Sequence, residues 1–441
     1  MLQVRKSLSE VHGSIAVPSG AGFWRKMLAF AGPAFLVSVG YMDPGNWATD
    51  IEAGSRFGYQ LLWVLLLSNG MALLLQSLSA RLGIATGRDL AQACREFYPE
   101  PWGKLLYIPC QVAIVACDLA EVLGGAVGLS LLTGWPLLGC AGVVSVNVIF
   151  MFLLQARGMR WLEAGILSLV TVIGLCYVAE LWLAKADWAA VLAGYLGPKL
   201  TGIRPAGGGT SDLYVAIAMI GATVMPHNLY LHSALVQTRR IEPTTAGKKE
   251  AAKFNLIDSA VALNAAFLVN SAILILAAAV FFRNGVEVKE LRQAYETLTP
   301  LVGTAFAGTL FAVALLASGQ SSTLTGTLAG QIVVEGFLRW RVAPWVSRLS
   351  TRFLALIPAV VVILWRGEEG TYDLLILSQV ILSLQLPFAV IPLIYFTGRK
   401  DLMGELVTRP FWNVVAWGVA VLLTGLNVWL VYETILGWVA P

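Results

Sequence analysis

Long apolar stretches, parted by short polar connections, run along nearly the whole chain. They predict helices over residues 27–54, 59–80, 105–132, 136–156, 161–183, 212–238, 255–282, 305–337, 352–365, 373–397 and 411–436. A helix rising 1.5 Å per residue needs about 20 residues to cross about 30 Å of hydrocarbon. The stretch 352–365 is short for that and is open to starting earlier. The pattern is that of an all-α integral membrane protein with eleven transmembrane helices. Residues 1–26 carry Arg5, Lys6, Arg25 and Lys26 without a compact apolar run before a cleavage site, so they read as a short cytoplasmic tail. With that tail inside, 22 of the 30 Arg and Lys residues fall at cytoplasmic ends and loops. The positive-inside rule favours this placement, and eleven spans then leave the C-terminus outside. A missed or invented span would move every later loop to the other side, so the charge bias also supports the count. The organisation expected is a tail at 1–26, a first five-helix unit at 27–183, an outside loop at 184–211, a second five-helix unit at 212–397, and an eleventh helix and C-terminus at 398–441. Gly207, Gly208 and Gly209 mark the loop as flexible.

Composition supports the membrane reading. A soluble chain of 441 residues would form about three domains. Here hydrophobic residues make up 57% and charged residues 13%, with a mean hydropathy of +0.74. So few charges do not cover a soluble surface. A soluble enzyme, a disordered chain and a nucleic-acid binder are excluded; the net charge of +4 is not gathered in one block. The five cysteines are scattered and odd in number, which indicates no disulfide framework.

Two spans are interrupted. The first contains Gly40-Tyr41-Met42-Asp43-Pro44-Gly45-Asn46 near its middle. An Asp there costs about 2.5–3.5 kcal/mol on insertion scales. It precedes a residue without an N–H and one that tolerates any φ, a combination that unwinds a helix. Unwound backbone at this depth has to line a polar cavity or be buried in protein. The freed carbonyls, the Asp43 carboxylate and the Asn46 amide oxygen make a cation site. The plainer alternative is a Pro-Gly kink with Asp43 capping the next half-helix, but a cap alone does not need the middle of a membrane. The sixth span contains Gly221-Ala222-Thr223-Val224-Met225-Pro226-His227-Asn228. Breaks five spans apart relate two five-helix units by inversion, the plan of inverted-repeat transporters whose site lies at the two breaks.

Asp43 supplies a hard anionic oxygen and Asn46 a neutral one; carbonyls near Gly40 and Ala222 add two more. Met225 offers a thioether. Mg²⁺ and Ca²⁺ want oxygen, whereas sulfur suits later or softer metals such as Mn²⁺, Fe²⁺, Co²⁺ or Cd²⁺. Alone, a methionine here is core filler; beside Pro226 and opposite Asp43, it reads as a ligand.

These residues resemble the signature pair of the Nramp family (natural resistance-associated macrophage proteins). Asp43-Pro44-Gly45-Asn46, Met225-Pro226-His227 and the segments 40–50, 221–233 and 318–326 carry the resemblance, which runs over roughly residues 25–435. It implies a leucine-transporter-like 5+5 inverted repeat with broken helices 1 and 6, and proton-coupled import of divalent transition metals across the cell membrane. Bacterial members of this kind act as manganese importers, and relatives that move Mg²⁺ or Al³⁺ lack the methionine. The same resemblance puts metal ligands at Asp43, Asn46, Met225 and the carbonyl of Ala222. It adds Gln379 of the tenth span as a ligand in the occluded or inward state; by itself that residue reads as a helix–helix hydrogen bonder, and the resemblance makes the two readings equal. Asn228 departs from the family pattern, which has a small or branched apolar residue there. The partners implied are a divalent metal ion and a proton as cargo, and the lipid bilayer. No resident cofactor, nucleic acid or obligate protein partner is indicated.

For the proton, the third span holds Asp118 and Glu121, three apart on one helix face. Two desolvated carboxylates that repel each other favour holding a proton, and intramembrane carboxylates mark ion pathways. A structural pair bonded to Arg or backbone is the alternative. An imidazole ordinarily titrates near the working range, so His227 reads as a relay, or as a polar residue satisfying freed carbonyls. His232 reads as structural. The resemblance pairs Asp118 and Glu121 with arginines of the sixth and ninth spans, and the matching positions are Arg239 and Arg352. The hydroxyl-rich run 318–327 reads as packing. Cys110 and Cys117 lack the further ligand that a metal site needs. Three rival functions have less support. An amino-acid and Na⁺ transporter of the same plan would not bury Asp43 beside Met225. An intramembrane enzyme would show a His-Glu-x-x-His or paired Gly-Asp motif. A channel has no need of two interrupted helices.

Overall fold

The computed structural model describes residues 7–18, 20–146, 157–200, 211–304, 306–338 and 344–439. The far part of the predicted fourth span (147–156) and Gly207, Gly208 and Gly209 lie outside the described residues. Within them the chain is helical, apart from a parallel two-residue ladder that pairs Ile15 with Arg239 and Ala16 with Arg240. The helices that build the interior are α1 (Pro33–Gly40), α2 (Pro44–Phe57), α3 (Tyr107–Thr133), α4 (Met159–Ala184), α5 (Asp212–Thr223), α6 (Pro226–Leu235), α7 (Thr245–Val280), α8 (Ala307–Leu338) and α9 (Pro344–Thr397).

Among the described residues, eight helical segments are long and apolar enough to span a membrane. Three further apolar segments fall on the remaining predicted spans: α1 with α2, the shorter helix Leu137–Val146, and α8, whose serines and threonines lower its hydropathy. α9 is two spans joined at Gly367, which sits at φ 65°. Its first part starts at Pro344, which gives the short predicted stretch at 352–365 its full length. The seventh span starts earlier than expected, at Thr245, with the Thr244 side chain accepting from Gly247 N–H as its cap.

The first span is broken twice. One break is at Asp43. The other follows the helix Phe23–Phe30, where Gly32 adopts φ 132°. A Cβ on Gly32 would stand 2.4 Å from the Glu163 carboxyl carbon, so only glycine passes here. Asp258 of α7 accepts from Ala34 N–H at 3.0 Å and satisfies the start of α1.

The N-terminal segment is docked against the helices. Leu8 and Val11 are buried, Gly13 N–H donates to the Gln237 carbonyl at 3.0 Å, and Gln331 of α8 donates to Glu10 at 3.1 Å. The loop expected at 184–211 carries a helix, Trp188–Leu196, capped by Asp187.

Candidate metal centre between the two broken helices

Asp43 ends the gap between α1 and α2 in extended conformation and caps α2, its Oδ1 accepting from Asn46 N–H at 2.8 Å. The alternative role foreseen for it, that of a cap, is therefore real, yet it uses one oxygen only. The carbonyls freed by the break are tied to other spans. Asn270 of α7 donates to the Tyr41 carbonyl at 2.6 Å, and Ser318 of α8 donates to the Met42 carbonyl. The hydroxyl run thus does more than fill space: its first serine holds the break open. Gln76 donates to the Tyr41 hydroxyl at 3.0 Å and its oxygen lies 3.0 Å from His232 Nδ1, which gives His232 a structural place.

The second break lies between α5 and α6. Met225 is extended at φ −62°, ψ 122°, and Pro226 opens α6. Four residues before that proline is Ala222, whose carbonyl would take its helical bond from an N–H that Pro226 does not have. Asn228 crosses between the breaks: its Nδ2 donates to the Val37 carbonyl at 3.3 Å, packed where a Cβ on Gly40 would clash. The departure from the family pattern is accordingly a fastener between α1 and α6.

Gln379 of α9 lies against both breaks. Its side-chain nitrogen occupies the place of a Cβ on Gly45, at 1.7 Å, and its carbonyl is 2.5 Å from the Cβ position of Gly221. Asp43 Oδ2, Asn46 Oδ1 and Gln379 Oε1 are fully buried here and have no hydrogen-bond partner; the same holds for the amide oxygens of Asn228 and Asn270, whose nitrogens are engaged. Buried polar atoms are rarely left so. Met225 is 0% exposed and packs with Ala113, Cys117 and Leu382. Cys117 in turn lies within electrostatic reach of Asp43.

The acid pair of α3 is built differently. Arg352 of α9 stands 3.1 Å from Glu121 Oε2 and 3.5 Å from Asp118 Oδ1, and its other nitrogen donates to Thr323 at 2.5 Å. The guanidinium donates to the Glu121 carboxylate and to the Asp118 backbone carbonyl, at 3.1 and 3.5 Å. A Cβ on Gly326 would meet Glu121 Oε1 at 2.7 Å, so α8 closes over the pair at a glycine. Cys117 Sγ is 3.6 Å from both Glu121 Oε1 and His227 Nε2 and joins the histidine to the acids. Spacing along one helix did not reveal that link, because His227 is 110 residues away.

Arg239 is not at the acid pair. It forms an ion pair with Glu163 of α4 at 2.7 Å and donates to the Ala31 carbonyl at 2.5 Å, beside the Gly32 break. An arginine at the end of a span meets whichever acid faces it there, and that acid is Glu163. Sequence reasoning did not single out Glu163, which lies inside the predicted span 161–183. It also passed over two buried carboxylates, Asp50 and Glu180.

Residues 34–433 match the natural resistance-associated macrophage protein-like family. The chain belongs to the Nramp family. It is 54% identical over 436 residues to the divalent metal cation transporter MntH of Nostoc sp., covering 98% of this chain and 97% of the relative. The MntH of Xanthomonas campestris pv. campestris is 54% identical over 432 residues, covering 98% and 96%. A crystal structure of the Eremococcus coleocola manganese transporter superposes with a TM-score of 0.91 at 35% identity, covering 99% of this chain and 92% of that one. Mhp1, a nucleobase-cation-symport-1 family transporter, shares the fold alone, with a TM-score of 0.57 at 16% identity and coverage of 87% and 82%. This Nramp chain is accordingly a multi-pass membrane transporter of leucine-transporter-like fold and not an enzyme.

Proposed function

We propose that this chain is a proton-coupled importer of divalent transition metals, with Mn²⁺ the leading cargo and Fe²⁺, Co²⁺ and Cd²⁺ also carried. The observation that carries the reading is the set of three buried, unpaired oxygens on Asp43, Asn46 and Gln379 at the two breaks. Oxygens without partners at this depth are balanced by a cation, and Met225 and the Ala222 carbonyl complete a mixed oxygen and sulfur set. The sulfur handicaps Ca²⁺ and Mg²⁺. The relatives' names as divalent metal cation and manganese transporters support the same cargo.

The membrane is the cell membrane, with the N-terminus cytoplasmic and the C-terminus outside, as the Arg and Lys distribution favours. Metal binds from outside at Asp43, Asn46 and Met225. Gln379 joins as the site closes, because it already touches both breaks. The proton passes from Asp43 or His227 to Asp118 and Glu121. One guanidinium facing two carboxylates leaves one negative charge, which a proton balances without inviting a divalent ion. Rocking of the broken helices against the remaining spans then opens the cytoplasmic side. Each positive charge moved inward gains about 2.3 kcal/mol per 100 mV of inside-negative potential.

Reconstitution into liposomes tests this, with Mn²⁺, Cd²⁺, Ca²⁺ and Mg²⁺ uptake followed together with internal pH. The account expects Mn²⁺ and Cd²⁺ uptake with internal acidification and little Ca²⁺ or Mg²⁺ movement. Equal uptake of all four ions would remove the selectivity claim, and metal uptake with no proton movement would remove the coupling.

A further inference from the structure

α2 and α4 belong to the first and fifth spans, so they cross the membrane in the same direction. They touch where the Trp47 and Tyr177 rings meet edge-on, with centroids 5.0 Å apart. Asp50 lies three residues beyond Trp47 on α2, and Glu180 lies three residues beyond Tyr177 on α4. Each carboxylate is therefore about one turn further along its own helix, and the Tyr177 phenol is the group that links them. Tyr177 is within electrostatic reach of both. Tyr195, on the helix Trp188–Leu196, faces Asp50 and Ser271 of α7 from the side of the long loop.

Asp50, Tyr177 and Glu180 are each about 1% exposed. Asp50 Oδ2, both carboxylate oxygens of Glu180 and the Tyr177 hydroxyl have no hydrogen-bond partner. The titratable groups that face the pair are Cys176 and Tyr177 on α4, Tyr195, and Asp43 two turns back on α2. None of these is a cation. This is the reverse of Asp118 and Glu121, which share Arg352. Two buried carboxylates without a positive partner are held only if something brings charge to them. A hard divalent ion wants six or more oxygens, and two carboxylates and a phenol fall short of that. A proton needs one lone pair.

We propose that Asp50 and Glu180 form an outer proton-holding site, which takes protons from external water and hands them toward Asp43. Asp50 and Asp43 are seven residues apart on one helix face, about 10 Å along the axis, a gap that bridging water spans. The transfer moves only a proton: external hydronium gives it up, a carboxylate oxygen takes it, and the same oxygen releases it inward. The proposal rests on the proton-coupled reading above.

Asp50→Asn, Glu180→Gln and the double variant test it in liposomes, with Mn²⁺ and proton uptake measured at external pH 5 to 8. Both changes keep shape and remove the proton-carrying oxygen, and unchanged thermal unfolding in detergent shows that the variants fold. In the double variant, Mn²⁺-driven proton flux is expected to fall at least about fivefold. The external pH for half-maximal Mn²⁺ uptake is expected to move by about one unit, a tenfold change in proton activity. Glu180→Asp should restore part of both. Folded variants with wild-type proton flux and pH profile would overturn the site. If the wild type itself moved no protons, the coupled reading would fail first. The site would then stand or fall on infrared titration of metal-free protein, where the double variant is expected to lose a protonated-carboxyl stretch; an unchanged band overturns it. A Mn²⁺ or Ca²⁺ equivalent lost only in the double variant would also overturn it, because the occupant would then be a metal.

Discussion

Asp43 and the pair Asp118 and Glu121 are carboxylates at 0% exposure, and they differ in what faces them. Around Asp43 the described partners are an N–H of its own helix and other oxygens without partners. At Asp118 and Glu121 a guanidinium stands 3.5 and 3.1 Å away. Burial is the same in both places, so burial does not decide the cargo. On the proposed reading, the counter-charge already built into the protein does. A carboxylate amid unpaired oxygens has room for a divalent ion. Two carboxylates sharing one arginine are short of a single positive charge, which on that reading a proton supplies. On the same proposed reading, the thioether at Met225 narrows the first site to the softer divalent ions.

The largest effect should come from breaking the first region. Asp43→Ala removes the only anionic ligand of the set and is expected to abolish uptake of every divalent ion in liposomes; residual uptake above about a tenth of wild type would show that the remaining ligands suffice. Next, Asp118→Asn or Glu121→Gln should leave metal movement within a few-fold of wild type while internal acidification disappears. Full proton flux in the double variant would remove α3 from the route. Met225→Ala should weaken Cd²⁺ about tenfold, the loss of roughly 1.4 kcal/mol, and improve Ca²⁺ and Mg²⁺ relative to it. Unchanged selectivity would leave the sulfur as packing. The smallest of the four is Gly45→Ala. Its methyl would occupy the space of the Gln379 amide, so the Mn²⁺ KM should rise by a few-fold to tenfold, about the worth of one hydrogen-bonding ligand. If Gln379→Ala has no effect and Gly45→Ala does, the glycine serves the backbone rather than the ligand.

Much of this comparison is legible in the sequence because proline and glycine act locally. Pro44, Gly45 and Pro226 interrupt their helices wherever those helices pack, so both breaks and the depth of Asp43 follow from order along the chain. Helix periodicity likewise puts Asp118 and Glu121 on one face. What faces them is a tertiary matter. Arg239 and Arg352 look alike in sequence, each a basic residue at a span end, yet the first meets Glu163 and only the second reaches the acid pair. Cys117 reads in sequence as a thiol without enough partners for a metal site, and its link to His227 exists only once the two are folded together. Asn228 reads as an anomaly until its amide is seen on the Val37 carbonyl of the other break. Gln379 has no local signal at all, and its place is revealed only by the space that Gly45 leaves. The N-terminal segment was legible as a charged tail. Its docking depends on Leu8 and Val11, two apolar residues too few and too scattered to form a pattern.

The most direct measurement is anomalous X-ray diffraction from crystals soaked in Mn²⁺. A single strong peak bonded to Asp43 Oδ2 and to the Met225 sulfur is the result predicted. A peak bound to the carboxylate with the methionine turned away, or bound at Asp118 and Glu121 instead, would contradict it.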